Sequence, residues 1–291
     1  MFGRPVRGYA VLAATCFAWM GCNQDAVGAG ANAAADSSSV TTATPVAFAS
    51  TRWTEYEASA LATLTRSGQQ SVYRESAGPS AAGNAFIVSG VIQADGDITS
   101  DSLVNPTHDQ RVCRPFRDII TPRQRDGVGN AIVWIAGITS GKPNDLPRRT
   151  SIRLNDCRLD PRVHVIAEGG TVLVGSRDAM VSRIRMTDVI GNAVPRTVVP
   201  LNDFGQVVPD ADIARTAGLV EVTDDRHPWV RGYIAVSPHP YITVTGASGT
   251  FQFTGVPAGK HEVIVFSESL GIMRRMIDVR SDVLVELKYG R

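Results

Sequence analysis

From residue 85 onward the chain is a succession of short apolar runs separated by turn residues. The runs are rich in β-branched and aromatic side chains, and breaks such as Asp95-Gly96 and Gly169-Gly170 separate them. They cover 85–93, 131–135, 163–167, 171–174, 183–186, 219–223, 233–236, 241–245, 251–253, 262–266, 276–279 and 283–287. Short strands at even spacing with such turns are typical of a β-sandwich or barrel. No helical period separates the runs, as it would in a parallel α/β sheet. The pattern predicts an all-β protein with two β-sandwich modules.

The first 22 residues have the pattern of an export signal. Two arginines precede an apolar run over 9–20, which is shorter than the roughly 20 residues that a membrane span needs. Gly21-Cys22 resembles the end of a bacterial lipoprotein signal, although Trp19 stands where such signals usually have Leu. The sequence predicts a signal peptide over 1–21 and a lipid anchor at Cys22 that tethers the chain without spanning the membrane. Cleavage within the alanine-rich stretch 29–35 is the alternative.

Residues 22–83 are dominated by small and polar side chains. Such a segment buries too little surface to offset the entropy of ordering, so a flexible tether is expected. Within it, Trp53, Tyr56, Leu61 and Leu64 fall loosely at helical spacing and predict a short helix over 53–66.

Composition and motifs exclude several function classes. The chain has 29 Lys and Arg against 28 Asp and Glu, a net charge of +1, which gives no electrostatic footprint for nucleic acid. It contains no phosphate loop, no H-E-x-x-H and no dinucleotide fingerprint. Of its four cysteines, Cys113 and Cys157 lie within the β region, too far apart for a C-x-x-C motif. In an exported protein such a pair more often forms a structural disulfide than a metal or redox site, so a disulfide is expected.

Motifs in the last hundred residues resemble one protein family. The segment His227-Pro-Trp-Val-Arg-Gly-Tyr233 is followed by His239-Pro-Tyr241 and, further on, by Phe251-Gln-Phe-Thr-Gly-Val-Pro-Ala-Gly259. This resembles exported bacterial cupredoxin-like proteins that carry a carboxypeptidase regulatory-like domain, also described as transthyretin-like or carbohydrate-binding-like, at their C-terminal end. The resemblance covers about 86–287. It implies a cupredoxin-like β-sandwich over 84–236 and a carboxypeptidase regulatory-like β-sandwich over 237–291.

The copper ligands that the resemblance implies are largely replaced. A blue-copper site needs two His and a Cys thiolate with a weak axial Met. The corresponding positions here hold Ser182, Asp224, His227 and Val230, so only one imidazole of the four ligands is present. No copper and no other cofactor is therefore expected. A site rebuilt around His227 for a divalent ion, with Asp224 and Asp225, remains an alternative to a solvated acidic turn.

Two further interpretations concern side chains near these positions. Ser182, His227 and Asp224 supply the residue types of a hydrolytic triad, but no G-x-S-x-G elbow surrounds the serine. The aromatic and imidazole side chains of the motif could form a ligand surface, although packing is the default expectation; they are Trp229, Tyr233, His239 and Tyr241. An exposed row of these aromatics would support glycan binding, an alternative that otherwise rests on fold analogy alone.

Taken together, the sequence predicts a non-enzymatic, exported β-sandwich protein with a lipid anchor. It is expected in the periplasm or at the cell surface, with an unidentified envelope protein or glycan as partner and no nucleic acid. The alternatives are a carbohydrate-binding module, and a metal-binding or electron-transfer cupredoxin with a rebuilt site around His227.

Overall fold

The computed structural model describes residues 53–65, 72–76, 85–96, 101–190, 195–202 and 205–290. The chain divides into Met1–Val46 and a compact unit of Ala47–Arg291, and all described residues belong to the second. The predicted signal peptide, Cys22 and much of the predicted tether lie outside the described residues. In the described part, no helix is both long and apolar enough to cross a membrane.

The described part contains one α-helix and twenty strands, which confirms the predicted all-β class. The helix α1 spans Glu55–Ala62. The strands are β1 (Arg74–Glu75), β2 (Ala85–Ala94), β3 (Asp101–Val104), β4 (Phe116–Ile119), β5 (Ile132–Ala136), β6 (Ser140–Gly141), β7 (Arg149–Asn155), β8 (Arg158–Leu159), β9 (Val163–Ala167), β10 (Thr171–Ser176), β11 (Ser182–Asp188), β12 (Pro195–Leu201), β13 (Val207–Asp210), β14 (Gly218–Asp224), β15 (Arg231–Ser237), β16 (Ile242–Val244), β17 (Thr250–Pro257), β18 (Gly259–Ser267), β19 (Gly271–Val279) and β20 (Val283–Tyr289).

Four sheets form two sandwiches. Sheet I has the order β13-β10-β7-β8 and sheet II the order β12-β11-β14-β15-β9; a hydrophobic core lies between them. Sheet III has the order β16-β5-β18-β19 and sheet IV the order β17-β2-β20, with a second core between them. The pairs β1-β6 and β3-β4 stand apart from these sheets. The first sandwich is therefore sheets I and II, and the second is sheets III and IV.

A third core joins the two sandwiches. It packs the outer face of sheet II against the outer face of sheet III, so alternate residues of one strand belong to different cores. In β15, Ile234 and Val236 lie in the first core, whereas Tyr233 and Ala235 lie in the third. All five residues of β5 are buried for the same reason. A strand covered on both faces needs no polar side, which explains the continuous apolar runs in these strands.

The second sandwich is assembled from two separate parts of the chain. Strand β2 lies between β17 and β20 in sheet IV, and β5 lies between β16 and β18 in sheet III. Both fall within 84–236, the range expected to form the cupredoxin-like module. The strands of 237–291 alone would leave both sheets without a central strand, because β16 and β18 each pair with β5. Sheet membership therefore does not divide the chain at residue 236.

Helix α1 is part of the folded unit. Its N-terminus is closed by a capping box, in which Thr54 and Glu57 each bind the other's backbone N–H. Leu61 and Leu64 are almost fully buried in the third core. The sequence places these residues in the tether, but here apolar contacts with both sandwiches hold them. The helix lies within the range 53–66 that its spacing predicts.

Candidate functional site

The residues that the resemblance places at copper-ligand positions gather near the start of β11, the end of β14 and the turn to β15. Strands β11 and β14 are antiparallel, with Ile184 opposite Asp224, so Ser182 on β11 lies near the turn that carries His227. Val230 lies in the first core at the end of that turn. The structure thus brings the four sequence-predicted positions to one end of sheet II.

His227 is fully buried, and both of its ring nitrogens are engaged by carboxylates. Nδ1 lies 2.6 Å from Asp224 Oδ2, and Nε2 lies 2.8 Å from Asp109 Oδ2. The raised pKa of His227 favours the protonated imidazolium ring, which can donate from both nitrogens to these carboxylates. We call this Asp109–His227–Asp224 arrangement the imidazolium clamp.

The charges within the clamp stabilise one another. Burial alone would lower the pKa of His227, but the hydrogen bonds and charges of Asp224 and Asp109 outweigh it and raise the pKa. Burial likewise opposes ionisation of Asp224. Its hydrogen bonds to His227 and to the backbone N–H groups of Arg183 and Arg226 nevertheless lower the pKa of Asp224. The pKa shifts of His227 and Asp224 therefore both favour the charged form.

Asp109 comes from the long connection between β3 and β4. Its backbone has a φ of 49°, and its carbonyl accepts the N–H groups of Val112 and Cys113. The Cys113–Cys157 disulfide, predicted from the sequence and confirmed here, ties this connection to the turn between β7 and β8. The disulfide therefore helps to hold Asp109 over His227. Sequence reasoning missed Asp109, because 118 residues separate it from His227 and no motif surrounds it.

The turn at Cys157 is itself fastened to the clamp. The carboxylate of Asp178 accepts the backbone N–H groups of Asp156 and Cys157. The indole Nε1 of Trp229 donates to the carbonyl of Cys157, and the Trp229 ring lies 5.3 Å from that of His227. The disulfide, the turn and the clamp thus form one connected unit.

The arrangement does not fit copper. Of the soft ligands of a blue-copper site, the thiolate and the thioether positions hold Asp224 and Val230. The remaining imidazole of His227 has no lone pair for a metal, since each nitrogen donates to a carboxylate. Across the ranges described, no group of three or more His, Cys, Asp or Glu side chains is arranged to hold a metal ion.

The same geometry bears on the triad interpretation. Ser182 is 1% exposed, and its hydroxyl has no hydrogen-bond partner among the described residues. His227 cannot accept a proton from Ser182, because neither ring nitrogen has a free lone pair. A Ser–His relay is therefore not formed.

Comparisons with known proteins give weak similarities only. No family model matches the sequence, and no curated protein matches it. Some solved structures are similar to it. A purple cupredoxin from Nitrosopumilus maritimus is 22% identical with a TM-score of 0.27, and the match covers 30% of this chain and 99% of that one. A reduced amicyanin variant is 21% identical with a TM-score of 0.26, covering 31% and 82%. A copper-containing nitrite reductase from Thermus scotoductus is 20% identical with a TM-score of 0.27, covering 35% and 24%. The β-sandwich architecture itself rests on the strand pairing described above.

The four residues considered as a possible ligand surface are not exposed together, in line with the packing that was the default expectation. Tyr233, Tyr241 and His239 are buried, and Trp229 packs against the first core. The hydroxyl of Tyr241 donates to the carbonyl of Gly255. This hydrogen bond joins the residue before β16 to strand β17. Burial of His239 lowers its pKa to about 4, so this side chain is neutral at pH 7. These side chains pack in the protein interior. They therefore form no exposed row of aromatics, the feature that would have supported glycan binding.

Proposed function

We propose that this chain is a non-enzymatic β-sandwich protein, exported and lipid-anchored, with a structural or binding role at the cell envelope. The observation that carries the proposal is the imidazolium clamp. A histidine that is fully buried and donates through both nitrogens offers neither a metal ligand nor a general base. It supports a role for this end of sheet II in stability.

Export and anchoring are supported by features outside the clamp. The basic start, the apolar run and Gly21-Cys22 have the order of a lipoprotein signal. The disulfide between Cys113 and Cys157 suits an oxidising compartment such as the periplasm. The partner is an envelope protein or a glycan.

Metal analysis of the purified full-length chain tests the first part. We expect far less than one equivalent of copper or zinc after incubation with either ion, and no visible absorption band. His227→Ala should leave this result unchanged. One equivalent of copper that disappears in His227→Ala would overturn the proposal and establish the electron-transfer alternative.

Metabolic labelling with a fatty acid tests the anchor. We expect the label on the wild-type chain and none on Cys22→Ala. An unlabelled, exported chain that begins within the alanine-rich stretch 29–35 would refute lipidation while retaining export. A chain that keeps residues 1–21 and stays inside the cell would refute both.

A further inference from the structure

A polar cavity lies at one end of the second sandwich, away from the clamp. It measures about 490 Å³ and is lined by Gln93, Gln124, Arg125, Asp126, Gly127 and Ser248. This volume falls within the range of roughly 300–1,000 Å³ that is typical of small-molecule sites. We call it the Arg125 cavity.

Most side chains of the Arg125 cavity are not used by the fold, although the Ser248 hydroxyl lies 2.9 Å from that of Thr250. In the part of the chain that the structure describes, Gln93, Gln124 and Arg125 make no side-chain hydrogen bond or ion pair. Asp126 accepts through its backbone carbonyl and leaves its carboxylate without a direct bond, although its charge acts on Lys288. Several polar groups therefore face one cavity with their bonding capacity free.

The backbone of the cavity is held rigidly. The N–H of Gln124 donates to Ala247, that of Gly127 donates to Gln124, and the carbonyl of Asp126 accepts from Ala94. The guanidinium of Arg123, next to the cavity, binds the carbonyls of Ala94 and Gly96 at 2.7 and 2.8 Å. The backbone that carries these polar groups is thus pre-organised, which reduces the entropy that a ligand must offset.

Local conformation supports a constrained site. Arg125 has a φ of 58°, a left-handed conformation that non-glycine residues rarely adopt and that clusters at binding sites. Gly127 packs so closely on Ser248 that an added Cβ would stand 2.3 Å from its carbonyl carbon. The wall of the cavity at Gly127 therefore requires glycine.

The chemistry of the lining selects the ligand. One cation and one carboxylate balance, so a ligand of either net charge gains little. No aromatic or aliphatic side chain lines the cavity, so an apolar ligand finds no hydrophobic side chain to pack against. Amides, a guanidinium, a carboxylate and a hydroxyl offer donors and acceptors side by side, which suits adjacent hydroxyl groups, since each hydroxyl both donates and accepts. We propose that the Arg125 cavity binds an uncharged saccharide unit through its vicinal hydroxyls.

This inference rests on the binding role in the proposed function and names its ligand class. It can be tested on the purified full-length chain by saturation-transfer NMR and calorimetry. The probes are glucose, galactose, N-acetylglucosamine, maltose and cellobiose, with galacturonate and glucosamine as charged counterparts. We expect at least one neutral probe to bind with a dissociation constant on the order of 1 mM. Both charged counterparts should bind more weakly.

Matched variants locate the site. Arg125→Ala and Asp126→Asn should each weaken binding by roughly tenfold or more, because each removes a charge-assisted hydrogen bond. Arg177→Ala changes an exposed arginine in the first sandwich and should leave affinity unchanged. Since all three side chains are exposed, the melting temperatures should remain close to that of the wild type, which separates lost binding from lost folding.

Three outcomes would overturn the inference: no neutral probe binds, a charged probe binds more tightly, or Arg125→Ala binds like the wild type. None of these would affect the metal analysis of the clamp, so the inference can fail while the proposed function stands. Conversely, copper bound through His227 would overturn the proposed function without altering saccharide binding at Arg125.

Discussion

Replacing Arg162 with Met should destabilise the protein more than any exposed charge change. Arg162 immediately precedes β9 of sheet II, Glu268 follows β18 of sheet III, and Asp118 lies in β4. The guanidinium donates two hydrogen bonds to each carboxylate, at 3.0 and 3.1 Å to Asp118 and at 2.6 and 2.8 Å to Glu268. This buried ion triad therefore links strands of both sandwiches through one side chain.

The magnitude follows from burial. The side chains of Arg162, Asp118 and Glu268 are only 8%, 9% and 12% exposed. Removing the cation leaves two carboxylates buried without a counter-charge, which typically costs about 3–5 kcal/mol. That is a large part of the roughly 5–15 kcal/mol by which a domain is stable. Met keeps most of the methylene stem of Arg162. The decrease in the free energy of unfolding of Arg162→Met therefore measures mainly the lost charge.

Two comparisons isolate this effect. Arg185 forms a bidentate pair with Asp225, but these side chains are 37% and 28% exposed. Water screens the exposed pair, so Arg185→Met should cost no more than about 1 kcal/mol. The triple variant Arg162→Met, Asp118→Asn, Glu268→Gln removes all three charges. It should be more stable than Arg162→Met alone, because no buried charge is left uncompensated.

Urea denaturation followed by tryptophan fluorescence measures all four proteins under one set of conditions. The expected order of stability is wild type, Arg185→Met, the triple variant and Arg162→Met. If Arg162→Met were as stable as Arg185→Met, the triad would contribute nothing that an exposed pair does not. If the triple variant were no better than Arg162→Met, the cost would lie in packing and the charge argument would fail.

Three more predictions concern other buried side chains, each measured by the free energy of unfolding. Leu61→Ala should cost about 2–5 kcal/mol, because α1 loses its contact with the third core, whereas Leu284→Ala on an exposed face should cost no more than about 0.5 kcal/mol; equal costs would place α1 outside the fold. The pKa of His227 is raised in the folded protein. Its contribution to the free energy of unfolding is therefore complete below about pH 6.5 and is lost as the pH rises through the pKa of the folded state. His227→Gln should therefore flatten the decline in stability above about pH 6.5, and an unchanged slope would contradict the clamp. His239 has a pKa lowered to about 4 by burial, so stability should fall by up to ~3 kcal/mol as pH drops from about 6.5 to 4; His239→Gln should remove that part of the fall, and an equally steep fall would contradict the assignment.

The strands could be predicted from the sequence because their signal is local. Runs such as 262–266 carry β-branched and aromatic residues between turn residues, and each prefers extended backbone wherever it pairs. The pairing itself is not local. Strand β2 lies between β17 and β20, and β17 begins more than 150 residues later in the chain. No pattern within 84–94 distinguishes β17 or β20 from a nearer partner. The sequence therefore predicts β2 as a strand of the module 84–236.

The stacking of the two sandwiches affects the sequence of the strands between them, but the pattern of one strand does not identify the sheet that packs on it. Strands β5 and β15 are buried at almost every position because alternate residues enter different cores. An apolar run of this kind predicts burial on both faces, but it does not say which sheet covers the second face. Helix α1 shows the same limit. Its few apolar residues predict a helix only weakly, and they are buried because they pack against the two sandwiches.

The clamp shows why the chemistry at His227 could be predicted only in part. The residues at the positions that the resemblance assigns to copper ligands can be read from the sequence. The reason for a buried histidine cannot, since its second partner is Asp109. An imidazolium with two carboxylates on opposite sides joins two distant chain segments, much as a bound ion would. Closing so long a connection carries an entropic cost, which the disulfide at Cys113 helps to offset by tethering the segment beside it. Hydrogen bonds from the His227 ring can link the two segments in this way, but they do not transfer electrons. Under the proposed function, the residues present at this position contribute to stability.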